Sequence, residues 1–273
     1  MKKGKFTTFL LVLVFLIGLS LLLYPTVSDV WNSMHQSRAI ADYREHVADL
    51  DNDVYAQLWS DAQSYNQTLI NRPDRFMMTD EEREVYEGLL NVSGNGIIGY
   101  IEIPSIDCSL PIYHGTDEAV LQIAVGHIEG SSLPTGGEGT HCVLSGHRGL
   151  PSARLFTDID QLVEGDTFIL RILDEVLTYE VDQILVVEPD QVEALAIEEG
   201  QDLCTLVTCT PYGINTHRLL VRGHRVENQA EVQSVRVTAD AVQVEPMIVA
   251  LAMAALMLFV LLIGMLLKTR RRR

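Results

Sequence analysis

Two uncharged apolar runs, Phe6 to Leu23 and Met247 to Leu267, bound what the rest of this chain can fold into. They hold eighteen and twenty-one residues, and a helix rising about 1.5 Å per residue needs roughly 20 apolar residues to cross a bilayer. Reading both as membrane helices leaves residues 24–246 for one compact domain with a helical extension. The first run starts like a secretory signal, but it exceeds the usual apolar stretch of about 7–15 residues and no A-x-A site follows, so an uncleaved anchor is expected. Lys2, Lys3 and Lys5 flank one run, and Lys268 with Arg270 to Arg273 flank the other. The positive-inside rule then sets both termini in the cytoplasm and the domain outside.

Charge divides along the same line. Between the runs lie twelve basic residues, all arginine, and all 37 acidic ones, a balance of −25. Phosphate contact needs a basic face, so nucleic acid is excluded as a partner; the acidity is read as solubility. The four cysteines, Cys108, Cys142, Cys204 and Cys209, also fall between the runs. Disulfides are compatible with that side of a membrane, and their connectivity is left open. A domain of this size does not need them to form a core, and three of the four sit in apolar, strand-like surroundings where a thiol packs as a small hydrophobe. With no C-x-x-C pair and no His/Cys cluster at zinc spacing, neither a metal nor a cofactor is expected.

The soluble part changes texture once. Ile40, Tyr43, Val47, Leu50, Val54 and Leu58 recur at helical steps within Asp29–Leu69, until Asn71-Arg72-Pro73-Asp74 breaks the pattern. The T-x-x-E spacing from Thr79 to Glu82 predicts a capped second helix reaching about Leu90. After Ser93-Gly94-Asn95-Gly96 the pattern becomes short strands: Ile97–Ile103, Cys108–Tyr113, His141–Ser145, Thr167–Leu173, Leu177–Val187, Leu203–Cys209 and Arg218–Arg222. Turn signals separate them, with short helical pieces near Asp117–Ala124 and Val192–Ala196, which reads as a barrel or sandwich. Glu227–Glu245 is a polar spacer, and no internal repeat appears.

The segment most informative about chemistry is Thr205-Leu206-Val207-Thr208-Cys209-Thr210-Pro211-Tyr212. An apolar strand delivers a thiol at its end, and Pro211 with Gly213 turns the chain. Alternation along a regular strand sends Cys204 and Cys209, five apart, to opposite faces. A thiol is little ionised at neutral pH, so a catalytic one needs a base and a charge partner. Arg218 opens the next expected strand, and a short loop would set this permanent cation beside Cys209, where it can stabilise a thiolate or an oxyanion. Upstream, the apolar Cys142-Val143-Leu144 leads into His147, bracketed by glycines in Ser145-Gly146-His147-Arg148-Gly149.

Together these motifs resemble the sortases, whose signature is TLxTC. The likeness is greatest to class C, the pilus-assembling branch. It runs from about Gly99 to Arg225 through GYIEIPSI, LPIYHGTDEAVLQIAVGHIEGSSLP, THCVLSGHRGLPSARLFTDID and TLVTCTPYGINTHRLLVRGHR. The resemblance implies a mainly β fold: a closed eight-stranded barrel with short helices, preceded by a helical lid segment and held by two transmembrane helices. It implies Cys209 as nucleophile, His147 as general acid and base, and Arg218 as oxyanion and substrate-backbone partner, with Thr208 and Thr210 contacting substrate or supporting the site. The substrates implied are secreted proteins ending in LPXTG-like sorting signals. Cleavage between Thr and Gly through a thioester is followed by transfer to a lysine amine of a pilin. The residues on which calcium dependence rests in some class A members have no match here.

Class C lids carry an Asp-Pro-aromatic motif; here Arg72-Pro73-Asp74-Arg75-Phe76 offers the same residue types in another order, so Pro73, Asp74 and Phe76 are the lid candidates. His114 and His127 are expected to pack, and His141, His217 and His224 to support the site. The resulting map has a cytoplasmic end (1–5), a membrane helix (6–23), a helical pre-barrel segment (24–95, lid about 71–78), the barrel (96–226), a spacer (227–246), a second membrane helix (247–267) and a basic tail (268–273). Two other readings stand beside pilus assembly: a housekeeping enzyme attaching proteins to peptidoglycan, and a non-catalytic tethered binding domain.

Overall fold

A computed structural model describes residues 2–228, together with Ala255 and Phe259. Residues 28–228 form one compact unit, and residues 2–27 fall outside it. Helix α1, Lys2–Ala48, carries the first apolar run and passes Pro25 without a break. From Leu10 onward it is long and apolar enough to cross a membrane. The second expected membrane helix, the spacer and the basic tail lie outside the described residues.

The helical stripe expected over Asp29–Leu69 is divided. The α1 helix ends at Ala48, and α2 begins at Asn52 and runs to Leu69. The apolar spacing runs through the break, and periodicity alone does not reveal it. Helix α3, Asp80–Gly88, starts where the capping box predicts: Thr79 Oγ1 accepts from the Glu82 N–H at 3.3 Å and Glu82 returns to the Thr79 N–H at 2.9 Å.

The strands are β1 (Ile97–Ile103), β2 (Cys108–His114), β3 (Val125–His127), β4 (Thr140–Ser145), β5 (Thr167–Ile172), β6 (Glu175–Val187), β7 (Asp202–Thr210) and β8 (His217–Val226). They close a barrel in the order β1-β2-β3-β4-β7-β8-β6-β5, as the resemblance implied. Strand β3 was not expected. Three residues containing a glycine carry too little alternation to be seen, yet β3 lies parallel to β2 and antiparallel to β4 and closes the gap between them.

Alternation fills the interior. In β5, Phe168, Leu170 and Ile172 are buried while their neighbours are half-exposed. They join Ile101, Leu110, Leu144, Tyr179, Leu206 and Val221 in the main core, each buried side chain of this size contributing about 1.5–3 kcal/mol. Strand β1 is instead buried along nearly its whole length, because helices cover its outer face. Tyr43 of α1 stands edge-on to Tyr100, donates to the Ile98 carbonyl at 3.0 Å and accepts from the Leu173 N–H at 2.7 Å. Asn66 of α2 is bonded both ways to the Leu133 backbone, at 2.9 and 2.7 Å. Tyr86 of α3 reaches His127 Nδ1 at 2.8 Å. The pre-barrel helices are therefore docked through buried polar groups as well as apolar ones.

Candidate active site

Three neighbouring strands of the barrel deliver the chemistry. Strand β4 runs parallel to β7, with Ser145 opposite Val207, and β7 pairs antiparallel with β8, with Cys209 opposite Arg218. The chain leaving β4 stays attached: the Gly146 N–H donates to the Val207 carbonyl at 3.1 Å and Thr208 Oγ1 donates to the Gly146 carbonyl at 2.7 Å. His147 thus follows a residue bonded to both positions that precede Cys209. The structure brings Cys209, His147 and Arg218 to one end of the barrel, all half-buried. Cys204 is wholly buried on the inner face of β7, in keeping with the alternation.

The guanidinium of Arg218 is turned onto its own loop, where Nη1 donates to the carbonyls of Asn215 at 3.3 Å and His217 at 3.1 Å. A charged or polarised oxygen would make a stronger hydrogen bond to that cation than these neutral carbonyls do.

Arg148 stands inside the Ser-Gly-His-Arg-Gly motif, and nothing in the sequence marks what it bonds. It pairs with Asp160, reaches Thr210 Oγ1 at 3.5 Å and lies 5.8 Å from the centroid of the Tyr212 ring. Tyr212 in turn covers Gly149, where an added Cβ would meet the ring at 2.8 Å. One side chain therefore ties the turn bearing His147 to the residue after Cys209 and to the β7–β8 loop. Thr208 and Thr210, expected to contact substrate or to support the site, make these internal bonds: Thr208 is buried and Thr210 half-buried.

The outer face beside the thiol carries a small apolar cluster of Val143, Leu195, Val207 and Leu220, with Phe76 packed on it. Val207 and Leu220 are register partners one same-face step from Cys209 and Arg218. Of the lid candidates, only Phe76 meets the barrel this way. Pro73 is exposed, and Asp74 is 66% exposed and paired with Arg72. The anchor is Arg75, to which the sequence alone assigns no role. It is 6% exposed, donates to the carbonyls of Gly130 at 2.9 Å and Leu195 at 2.5 Å, and lies 4.2 Å from the centroid of the Phe76 ring. Burial pushes its guanidinium below the ordinary value. The Arg75 backbone approaches so closely that a Cβ on Gly130, at φ +79°, would meet its carbonyl oxygen at 2.0 Å. Leu195 belongs to a loop that His141 holds from beneath, its ring bonded to the Ala196 carbonyl and to Thr205 Oγ1, both at 2.7 Å.

The remaining histidines divide. His114 and His127 pack against Tyr86, as expected. His217 sits beside Thr216 at 2.9 Å and opposite Thr210 in the ladder, next to the Cys209–Arg218 pair, and His224 lies 3.7 Å from Asp182. Among the described residues no group of three or more metal-ligating side chains converges. A polar cavity of about 370 Å³ lies between α2 and the 135–140 loop, lined by residues such as Ser60, Gln67 and Thr135 and by no thiol or histidine.

Comparison with known proteins follows this geometry. A family model described as the sortase domain matches residues 101–226. The crystal structure of sortase C1 from Streptococcus agalactiae is 52% identical and superposes with a TM-score of 0.67, covering 70% of this chain and 100% of that one. The structure of Clostridium perfringens sortase C with the C-terminal cell wall sorting motif is 45% identical, with a TM-score of 0.63 over 70% of this chain and 100% of that one. Sortase D of Bacillus subtilis is 33% identical over 131 residues, 47% of this chain, and the match spans 63% of that relative's length.

Proposed function

The chain belongs to the sortase family, and from that premise we propose that it is a membrane-anchored cysteine transpeptidase of the class C, pilus-assembling kind. The observation that carries the reading is the pairing of Cys209 with Arg218, beside a Gly146–His147 turn bonded to the two residues before the thiol. Cys209 Sγ attacks the Thr carbonyl of an LPXTG-like signal while Arg218 leaves its loop carbonyls for the substrate. His147 gives a proton to the departing glycine amine, and a thioester remains. A pilin lysine amine then attacks the thioester, His147 accepts its proton, and an isopeptide forms as Cys209 is released. Two easier acyl transfers replace one difficult one. No metal or cofactor takes part. Thr210 borders the substrate, and α1 with the run at 247–267 tethers the domain in two passes, both termini cytoplasmic.

Peptidoglycan anchoring is the second reading. The Phe76-bearing segment packed near the thiol, and the high identity to sortase C structures, one solved with a sorting motif, favour the first. The test incubates the full chain in detergent micelles with an LPXTG peptide, with and without a lysine-bearing acceptor peptide. A hydroxylamine-sensitive adduct on Cys209, chased to an isopeptide by lysine, is expected. An adduct that only cell-wall peptide amines resolve would favour anchoring, and no adduct on folded protein would leave a binding module.

A further inference from the structure

On the inward face of the strands that carry His147 and Cys209 stand two thiols that the proposed reaction does not use. Cys142 of β4 and Cys204 of β7 are register partners across the parallel pair. They are 2% and 0% exposed. The same layer passes from Cys204 to Gly223 of β8 and Val181 of β6. Gly223 makes room there for two rings, since a Cβ would meet Phe168 at 2.8 Å and Tyr179 at 3.0 Å. Adjacent strands lie about 4.7–4.9 Å apart, within the Cα separation of about 4.4–6.8 Å that a disulfide bridges. The other two cysteines stand elsewhere: Cys108 opens β2, and Cys209 lies on the outer face of β7. The placement is also regular along the chain. Cys142 precedes His147 by five residues, and Cys204 precedes Cys209 by five.

We propose that Cys142 and Cys204 form a redox site, closed to an intrabarrel disulfide by exchange with a small-molecule disulfide. The thiolate of one cysteine attacks a sulfur of the reagent, forming a mixed disulfide and releasing one reagent thiolate. The second cysteine then attacks the protein sulfur of that mixed disulfide and releases the other. The two protein thiols give up two electrons and two protons, and the reagent's S–S bond becomes two thiols. Both cysteines are enclosed in a closed barrel, so the exchange proceeds only when the barrel itself opens and is slow beside modification of the half-buried Cys209. Once formed, the bond is a covalent rung below the catalytic end. It fixes the register of the two strands that present the base and the nucleophile and leaves the outer face unaltered. None of this depends on the transpeptidase reading, because the site and its test involve no substrate.

The experiment uses the full chain in detergent micelles carrying Cys209→Ala, which leaves three of the four cysteines. It is incubated with oxidised glutathione for increasing times, then unfolded in guanidinium chloride and alkylated. The expected result is loss of two alkylatable thiols, a proteolytic fragment joining the peptides of Cys142 and Cys204, and a higher thermal midpoint that a reductant reverses. Three thiols still open to alkylation at the longest time, a stable glutathione adduct without ring closure, or a bond to Cys108 would each overturn the proposal. The readout needs no substitution at Cys142 or Cys204, so a folding defect at either position does not enter.

Discussion

The β7–β8 ladder and the segment 72–76 that lies on its outer face are held in place by opposite means. The ladder joins eight register pairs from Leu203–His224 to Thr210–His217 and rests on the barrel core. Within 72–76, the ties to the barrel are one guanidinium bonded to two carbonyls and one half-buried ring. A strand inside a barrel opens only with the barrel, whereas a segment held by two side chains opens by itself at far lower cost. Cys209 and Arg218 are thus built into the ladder, whereas the segment proposed to make way for a substrate is pinned at two points.

The sharpest way to break this comparison lies within β7 itself. Cys209→Ala should abolish thioester formation with the fold intact, while Cys204→Ala should keep activity and lose about 1–2 kcal/mol of stability as a small core truncation. Intact-mass analysis and urea unfolding of both variants check it, and equal loss of activity would remove Cys209 from its assigned role. Next in size is Arg218→Lys. Lysine keeps the charge without the planar fork, so acylation should slow by at least about 10²-fold, as for loss of an oxyanion donor. A near-wild-type single-turnover rate would reduce Arg218 to a support of its loop.

On the other side of the comparison, Arg75→Ala removes two charge-assisted hydrogen bonds of about 1.5–3 kcal/mol each. Labelling of Cys209 by a bulky thiol reagent should then rise at least about tenfold, with barrel stability nearly unchanged. Pro73→Ala and Asp74→Ala, at exposed positions, should leave labelling as it was. If the exposed pair mattered more than Arg75, the pinning point would be misassigned. The last effect is graded and belongs to the barrel. Burial pushes His114 and His141 from 6.5 down to about 4. The unfolded chain therefore takes up protons below about pH 6.5 that the folded barrel refuses until about pH 4. Stability is complete above that window and falls as pH drops through it, by up to about 1.4 kcal/mol per pH unit for each histidine. Urea unfolding at pH 7, 5.5 and 4.5 reads the slope, and His114→Gln should flatten its share.

How much of this was legible in the sequence depends on the range of the interaction. Local rules gave the α3 cap at Thr79, seven of the strands, and the division of Cys204 and Cys209 between two faces. The thiol, histidine and arginine were marked by their motifs. Contacts between residues far apart in the chain left no such trace. The close approach of Arg75 to Gly130 spans 55 residues, and at the sequence level the two are an unremarked arginine and a glycine among polar neighbours. Strand β3 is too short for a period, and the break after Ala48 is hidden because the apolar stripe continues across it. Arg148 was visible as a letter in the motif, but its reach to Asp160 and Thr210 follows from where the 146–161 turn lies.

The strand order has a consequence for the birth of the molecule. Strand β8 is the last of the eight to be made, yet it lies between β7 and β6, hydrogen-bonded to both. A growing chain that has reached Thr210 therefore has β6 and β7 with facing edges unsatisfied and a thiol without its arginine. Arrival of the final ten residues of the barrel seals both edges in one event and completes the site in the same event. A half-made chain accordingly lacks the Cys209–Arg218 pair and is exposed to stray strand pairing, and the interval between emergence of β7 and β8 is when it most needs shelter.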